Sequence, residues 1–469
     1  MDKAPARDGR PNPLGYAPVG GLIRQFAVPS IISMLVSSAY NITDQIFIGN
    51  VVGMLGNAAT NVAFPTVSLA LALAQLAGVG TAAGYNLNLG RGRKQEAAEF
   101  LGTGLAFLAA LGVALGAAVL LLRDPILHLC GATDAVFPYG QSYLGITALG
   151  LPFHLAATGA STLIRADGRP RYSMLCSVSG AVVNIVLDAL FMLVFQWGIQ
   201  GAAWATVLGQ LLSFLLCVAY LPKFKGAPVT RQTLKLRAGK VKEICQLGTA
   251  NFINHIIMMV VNIVMNNLLT RYGAQSVYGS DIPLAVSGVI AKVQTIVISF
   301  AVGLAHGCQP IFSFNMGARK YSRVRQAYRK ALLVALVIGA AAFTVFQCFP
   351  HQIAGIFGSG DPLYFQFAEE YLQIFLFMIC VTGVQPLSVN YFTSIGSVRQ
   401  GTILSASRQG LFLLPLLAIL PHIWGLEGIL YAGPIAEGAA CTLALVTVWR
   451  SIRRLPREDG PQESREETG

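Results

Sequence analysis

The chain has 469 residues, of which 54% are hydrophobic and only 12% charged, with a formal net charge of +12. A soluble domain carries about 25% charged residues, so the deficit excludes an ordinary soluble enzyme and points to long lipid-facing segments. The positive charge does not imply nucleic acid, because the basic residues lie in short runs between apolar segments rather than on one soluble face.

Taken in chain order, residues 1–21 form a polar tail with Lys3, Arg7, Arg10 and no apolar stretch, so the first span itself is expected to act as the insertion signal. Apolar windows of about 20 residues then predict spans near 22–48, 58–87, 98–122, 138–164, 172–196 and 199–222. A basic linker occupies 223–242. Six more spans lie near 243–270, 283–314, 327–349, 366–394, 402–421 and 425–449, and a second tail covers 450–469. The expected fold class is an all-α polytopic membrane protein with twelve transmembrane helices in two six-helix bundles, 22–222 and 243–449. Pro29, Pro65, Pro152, Pro310, Pro386, Pro415 and Pro434 fall inside spans, where the missing N–H tends to bend a helix.

With the N-terminus in the cytoplasm, of the 33 basic residues only Arg123 and Arg271 fall outside and Lys292 within a span. Arg165 and Arg408 are counted in inside loops. Such a bias puts both ends in the cytoplasm of a multi-pass protein of the cytoplasmic membrane, and it turns basic loops toward anionic lipid. The eight cysteines are scattered singly without a C-x-x-C pair, so neither a disulfide framework nor a zinc site is expected.

The second half repeats the first. Trp197-Gly198-Ile199-Gln200-Gly201 returns as Trp424-Gly425-Leu426-Glu427-Gly428, and Asn88-Leu89-Gly90 as Asn315-Met316-Gly317, each 227 positions later. Asp134 returns as Asp361 at the same offset and Tyr143-Leu144 as Tyr371-Leu372 at 228. Matches in order at nearly constant offset indicate a duplicated unit. Six spans per unit make the repeats parallel, related by an axis along the membrane normal, with a cleft between them and alternating access by rocking.

Polar residues at membrane depth need a reason. In the first span Ser37, Tyr40, Asn41 and Asp44 recur at helical spacing and form one stripe. Asn184 and Asp188 share a face of the fifth span, and Thr206 lies early in the sixth. At about 1.5 Å per residue these groups fall at similar depth in the outer half of the first bundle. Two carboxylates, an amide and a hydroxyl are suitable ligands for a proton or a small hard cation, and two nearby carboxylates in low dielectric favour holding one proton between them. The structural alternative is that Asn184 and Asp188 only pin the fifth span to its neighbours. In the second bundle His255, Lys292, His306 and Glu437 are the ionisable residues within spans. Lys292 and Glu437 are placed to pair, Lys292 otherwise snorkelling to the interface, and the histidines are equally readable as core residues. There is no G-x-x-x-x-G-K-[ST], G-x-S-x-G or H-E-x-x-H, so neither an ATP-driven pump, an enzyme nor a bound metal or other cofactor is expected.

An ordered set of motifs carries a resemblance: P-S-I-I-S-M-L from Pro29, Y-N-I-T-D-Q-I-F-I-G around Asp44, N-A-A-T-N-V-A-F-P, A-D-G-R-P-R from Ala166, N-I-V-L-D, G-I-Q-G-A-A-W-A-T and G-C-Q-P-I-F-S-F-N-M-G-A. Over roughly positions 20–450 the chain resembles the multidrug and toxic compound extrusion (MATE) family, and its loops are most similar to the MepA-like bacterial branch. The resemblance implies two lobes in a V shape and efflux of cationic, often aromatic compounds by antiport with H⁺ or Na⁺. By position, Asp44, Asn184, Asp188 and Thr206 match that family's cation site and Pro29 its helix 1 hinge. Substrate-cavity candidates are Ser37, Tyr40, Asn41, Lys292, His255 and Glu437. Some members also use acids in the seventh and tenth helices; here the seventh offers His255, and the tenth has only Glu369 and Glu370 at its outer start. That departure favours coupling in the first lobe, and H⁺ over Na⁺. A small cationic amphipathic substrate, the lipid bilayer and a monomer complete the expectation.

Two rival transporters make different demands. A major-facilitator-type protein would carry G-x-x-x-D-R-x-G-R-R after the second span, where this chain reads N-L-G-R-G-R-K-Q-E. A lipid-linked saccharide flippase of a related fold would need a more cationic cavity, and by this count only Lys292 is basic within a span.

Overall fold

The computed structural model describes residues 12–459 except 227–229, 231, 280 and 358–361. Lys3, Arg7, Arg10, Arg231, Asp361 and Arg465 lie outside the described residues. The chain folds into α1 (Val19–Val51), α2 (Met54–Gly90), α3 (Lys94–Leu121), α4 (Phe137–Ala166), α5 (Pro170–Asp188), α6 (Gly198–Tyr220), α7 (Ala238–Gly273), α8 (Asp281–Gly317) and α9 (Tyr321–Cys348). Helix α10 comes in two pieces, Pro362–Phe375 and Val384–Ser394. The helical stretch Val398–Arg454 is 57 residues long but turns back on itself at Gly425 (φ 57, ψ −132), which separates α11 from α12. Ten stretches have the length and apolarity of a membrane crossing. Dividing the last of them and adding the more polar α4 gives twelve. Helix α4 affords its polarity because it packs among α2, α3 and α6 rather than against lipid. Short helices at Arg123–Leu129 and Pro350–Phe357, which the apolar windows do not reveal, join α3 to α4 and α9 to α10.

The prolines explain part of the irregularity. Pro386 cannot donate to the carbonyl four residues back and its ring crowds that carbonyl. Helix α10 accordingly breaks over residues 376–383, with a 3₁₀ turn at Phe377–Val381. Helix α11 widens into π turns at Ser407–Leu413, directly before Pro415. Helix α5 does the same at Ala189–Val194, immediately after Asp188. Helix α1 runs through Pro29 unbroken.

The repeat is visible in the backbone. Left-handed φ values occur at Gly92 (81°) and Arg319 (54°), and at Gly198 (58°) and Gly425 (57°), each pair 227 apart. Gly168 (88°) and Gly396 (80°) form a third pair, 228 apart. Between bundles, α2 packs on α7 and, as its symmetry mate, α1 on α8. Both contacts are closest in the half of the molecule nearest the termini. A Cβ at Gly307 would stand 2.5 Å from the Cα of Ala27, and one at Gly303 2.6 Å from that of Ile31. Gly80 and Gly248 likewise admit the backbones of Ile244 and Leu76. Both described ends of the chain lie on that face. The Arg323 guanidinium donates to the carbonyls of Leu14 (3.1 Å) and Ala17 (2.6 Å), and the Ser322 amide donates to Asp459 at 2.9 Å. All eight cysteines are free thiols.

Candidate functional site

Helix α1 packs along α5 and α5 along α6, and this assembles the sequence-selected oxygens. Asp44 and Asp188 interact side chain to side chain, and Tyr40 and Tyr143 stand within electrostatic reach of both. Asp188 is completely buried and Asn184 is 3% exposed. The Asn184 amide donates to the Thr206 hydroxyl at 3.4 Å. Both Asp188 oxygens, Asp44 Oδ1 and Asn184 Oδ1 are buried without a hydrogen-bond partner. Buried polar atoms are nearly always satisfied, so four orphaned oxygens at one place mark a point where a proton or a hard cation completes the bonding. No group of three or more His, Cys, Asp or Glu side chains suited to a metal occurs among the described residues.

A cavity of ≈ 370 Å³ lies between the bundles, next to this site. Ser37, Tyr40, Asn184, Thr206, His255 and His306 line it. Ser37 and Tyr40 come from the same helix as Asp44, so α1 connects the acid pair to the cavity wall. Asn41, Lys292 and Glu437, named as cavity candidates from the sequence, do not line it. Asn41 is exposed and donates to the carbonyl of Ser37 at 2.7 Å, turning back on its own helix. Lys292 is exposed, on the face of α8 that continues through Thr295, Ile298 and Val302 to His306. That places it about 21 Å along the helix from His306 and nearer the open end.

The largest correction concerns charge. Arg165 and Arg408, counted as loop residues from the sequence, line the cavity and are 5% and 8% exposed. Helix α4 extends to Ala166, so Arg165 sits in a last helical turn, and Arg408 lies well inside α11, which begins at Val398, as it already did in the span expected at 402–421. Arg408 Nη1 meets Glu437 Oε2 at 3.2 Å. Glu437 is therefore the partner of Arg408 and not of Lys292. Its reason is proximity: the turn at Gly425 lays α12 back against the π turns of α11.

Two further features escaped the sequence reading. Helix α7 presents a polar stripe of Asn251, Asn254 and His255 into the cavity. The same stripe continues as exposed Asn262 and Asn266 toward the face opposite the termini. Exposed amides at membrane depth face water rather than lipid, so the cleft is open on that side. The i, i+3, i+4 spacing of these asparagines was the available signal. The second feature is Asp167, just beyond α4. It accepts hydrogen bonds from the Tyr85 hydroxyl (2.7 Å), the Tyr220 hydroxyl (2.9 Å) and the amides of Lys225 and Gly226 (2.9 Å each). Burial pushes its carboxyl up from the ordinary value, while these donors pull the other way.

The MatE family model matches residues 29–190 and 252–419. The multidrug export protein MepA of Staphylococcus saprophyticus is 26% identical over 436 residues, 92% of this chain and 93% of that protein. MepA of Staphylococcus aureus is 25% identical, covering 94% of this chain and 95% of its own. Among solved structures, a MOP superfamily transporter from Pyrococcus furiosus Vc1 superposes with a TM-score of 0.88 at 21% identity, over 95% of this chain and 98% of that one. Its binding pocket is described as of reverse polarity, suggesting a different function. A multidrug resistance MATE family transporter in its outward-facing conformation gives a TM-score of 0.86 at 22% identity, over 92% of this chain and 96% of that one.

Proposed function

Because the chain belongs to the MatE family, we propose that it is a secondary exporter of small amphipathic compounds, working by antiport against inward H⁺ or Na⁺. The observation that carries this reading is the cluster of partnerless buried oxygens at Asp44, Asn184 and Asp188, on a helix pair that also walls the cavity between the bundles. The MepA relatives, multidrug export proteins by name, support the cargo class. The basic bias of the loops supports a cytoplasmic location for both termini in the cytoplasmic membrane. In that orientation the glycine-packed face is the inner one, and the cleft opens outward.

The coupling follows from shared parts. With both carboxylates ionised, Asp44 and Asp188 repel across a low-dielectric contact; one bound proton or cation relieves the repulsion. Helix α1 then sits closer to α5 and carries Ser33, Met34, Ser37 and Tyr40 of the cavity wall with it. Arrival of the ion thereby changes the affinity for cargo, which is the differential interaction antiport requires. H⁺ is the preferred ion, because a single shared proton satisfies the pair. Pro29, below this segment, is the natural hinge. One chain holds both bundles and the cavity, so a monomer suffices.

The cargo we propose is amphipathic; the sequence expectation that it is cationic finds no carboxylate among the described lining residues. Arg165 and Arg408 remove one objection to the flippase reading, but a cavity of ≈ 370 Å³ fits a small molecule rather than a lipid-linked saccharide. The test is dye efflux from proteoliposomes under imposed pH or sodium gradients. Flux driven by neither gradient overturns the antiport reading.

A further inference from the structure

We propose that the cargo carries an acidic group, a carboxylate or a phosphate monoester on a small amphipathic molecule, and that Arg165 holds that group at the closed end of the cavity. The inference rests on the central cavity being the cargo site.

Arg165 is 5% exposed, and no carboxylate among the described residues lies within ion-pair distance of it. Of its five N–H donors, Nη2 reaches the Thr162 hydroxyl at 3.3 Å, and Nε has no partner. Burying a cation without a counter-charge is costly. The acid nearest in sequence, Asp167, is already engaged by two tyrosine hydroxyls and two backbone amides. A purely structural role at the end of α4 would aim the guanidinium at the last carbonyls of the helix. It turns back toward Thr162 and the cavity instead.

The other buried arginine supplies the control. Arg408 lines the same cavity but is neutralised by Glu437. Arg165 is thus a charge the fold leaves for something else to balance. The opposite bundle supplies uncommitted polar atoms around it. His306 Nδ1 and Asn251 Nδ2 are both buried without partners, and His306 is within electrostatic reach of Arg165. An acid bound there would be gripped by both bundles. Above it the wall is apolar, with Met34, Leu71, Met258 and Ile298, which accounts for the hydrophobic body. Lys292, nearer the mouth, adds positive potential along the path.

Equilibrium binding to the detergent-purified full chain tests the assignment, with fluorescence polarisation of two probes: carboxyfluorescein, an anion, and ethidium, a cation. Carboxyfluorescein is expected to bind more tightly, and Arg165→Gln to weaken it by about tenfold or more. Arg165→Lys should recover part of the loss. Should Arg165→Gln not fold, His306→Gln is expected to weaken the same probe several-fold. Tighter binding of ethidium, or carboxyfluorescein binding indifferent to these changes, overturns the proposal. Displacement by octyl phosphate supports a free acid as the source; displacement by phosphatidylglycerol alone overturns it. Anion binding without gradient-driven flux would remove the antiport reading and leave this assignment standing. Ethidium flux without carboxyfluorescein binding would do the reverse.

Discussion

In the first bundle the half-buried Asp44 and the buried Asp188 stand beside one another with orphaned oxygens and no basic partner, and the buried Arg165 stands apart from every described acid. In the second bundle the half-buried acid and the buried base, Glu437 and Arg408, are joined at 3.2 Å. Yet the bundles share their turns, down to the left-handed residues at Gly92 and Arg319 and at Gly198 and Gly425. The difference separates two kinds of constraint. A turn between antiparallel helices needs a particular φ, and losing it misplaces a whole helix. Side chains lining a water-filled cleft answer only to what passes through it. After duplication the first kind persists and the second diverges. The unpaired buried charges are then on the first bundle and the paired ones on the second, although both bundles line the cavity.

The largest effect expected from that contrast is on coupling. Asp188→Asn, and Asp44→Asn with it, should abolish gradient-driven efflux while leaving probe binding to the purified protein within a few-fold. Retained flux in both variants would end the division of labour. Next comes the salt bridge: Glu437→Gln strands Arg408 and should cost about 3–5 kcal/mol, read as a fall in melting temperature in detergent, with gradient-driven flux retained at permissive temperature. Arg165→Met should do the opposite, raising the melting temperature as anion binding disappears. An equal fall for both would show that Arg165 is paired after all. A smaller effect is expected where the bundles touch. Gly80→Ala places a methyl against the Ile244 backbone, and such overpacking costs roughly 1–3 kcal/mol. The balance of states should move toward an opened terminal face by up to about a hundredfold, visible as faster thiol labelling at a cysteine introduced at Leu76. The smallest is Asp167→Asn, which removes one acceptor oxygen from the linker clasp. A loss of about 1–2 kcal/mol should appear as faster proteolysis within 223–237, with α7 to α12 unaffected.

The helices were legible because lipid imposes long apolar runs, and the repeat because turn residues are conspicuous. The acid site was legible because Asn184 and Asp188 are one turn apart, and Asp44 is a carboxylate that hydrocarbon would not tolerate. What escaped was whatever depends on where a helix ends or folds back. Two residues of extra helix moved Arg165 from an inferred loop into the cavity. The reversal at Gly425 delivered Glu437 to Arg408 rather than to Lys292. The π turns after Asp188 and around Arg408 leave no mark in hydrophobic periodicity at all.

The closed, glycine-packed end of the cleft also has an electrical meaning. The cavity extends down to the buried Arg165, and with that cleft filled by water the transmembrane voltage would fall mostly across the thin plug of helices beneath it. For the acidic cargo we propose, outward movement of the anion and inward movement of H⁺ transfer charge in the same sense. An inside-negative potential therefore drives both, at about 2.3 kcal/mol per charge for each 100 mV. A cationic cargo exchanged one for one would cancel the ion's charge and leave the cycle silent; with Arg165 at the base of the cleft, turnover should register as a current.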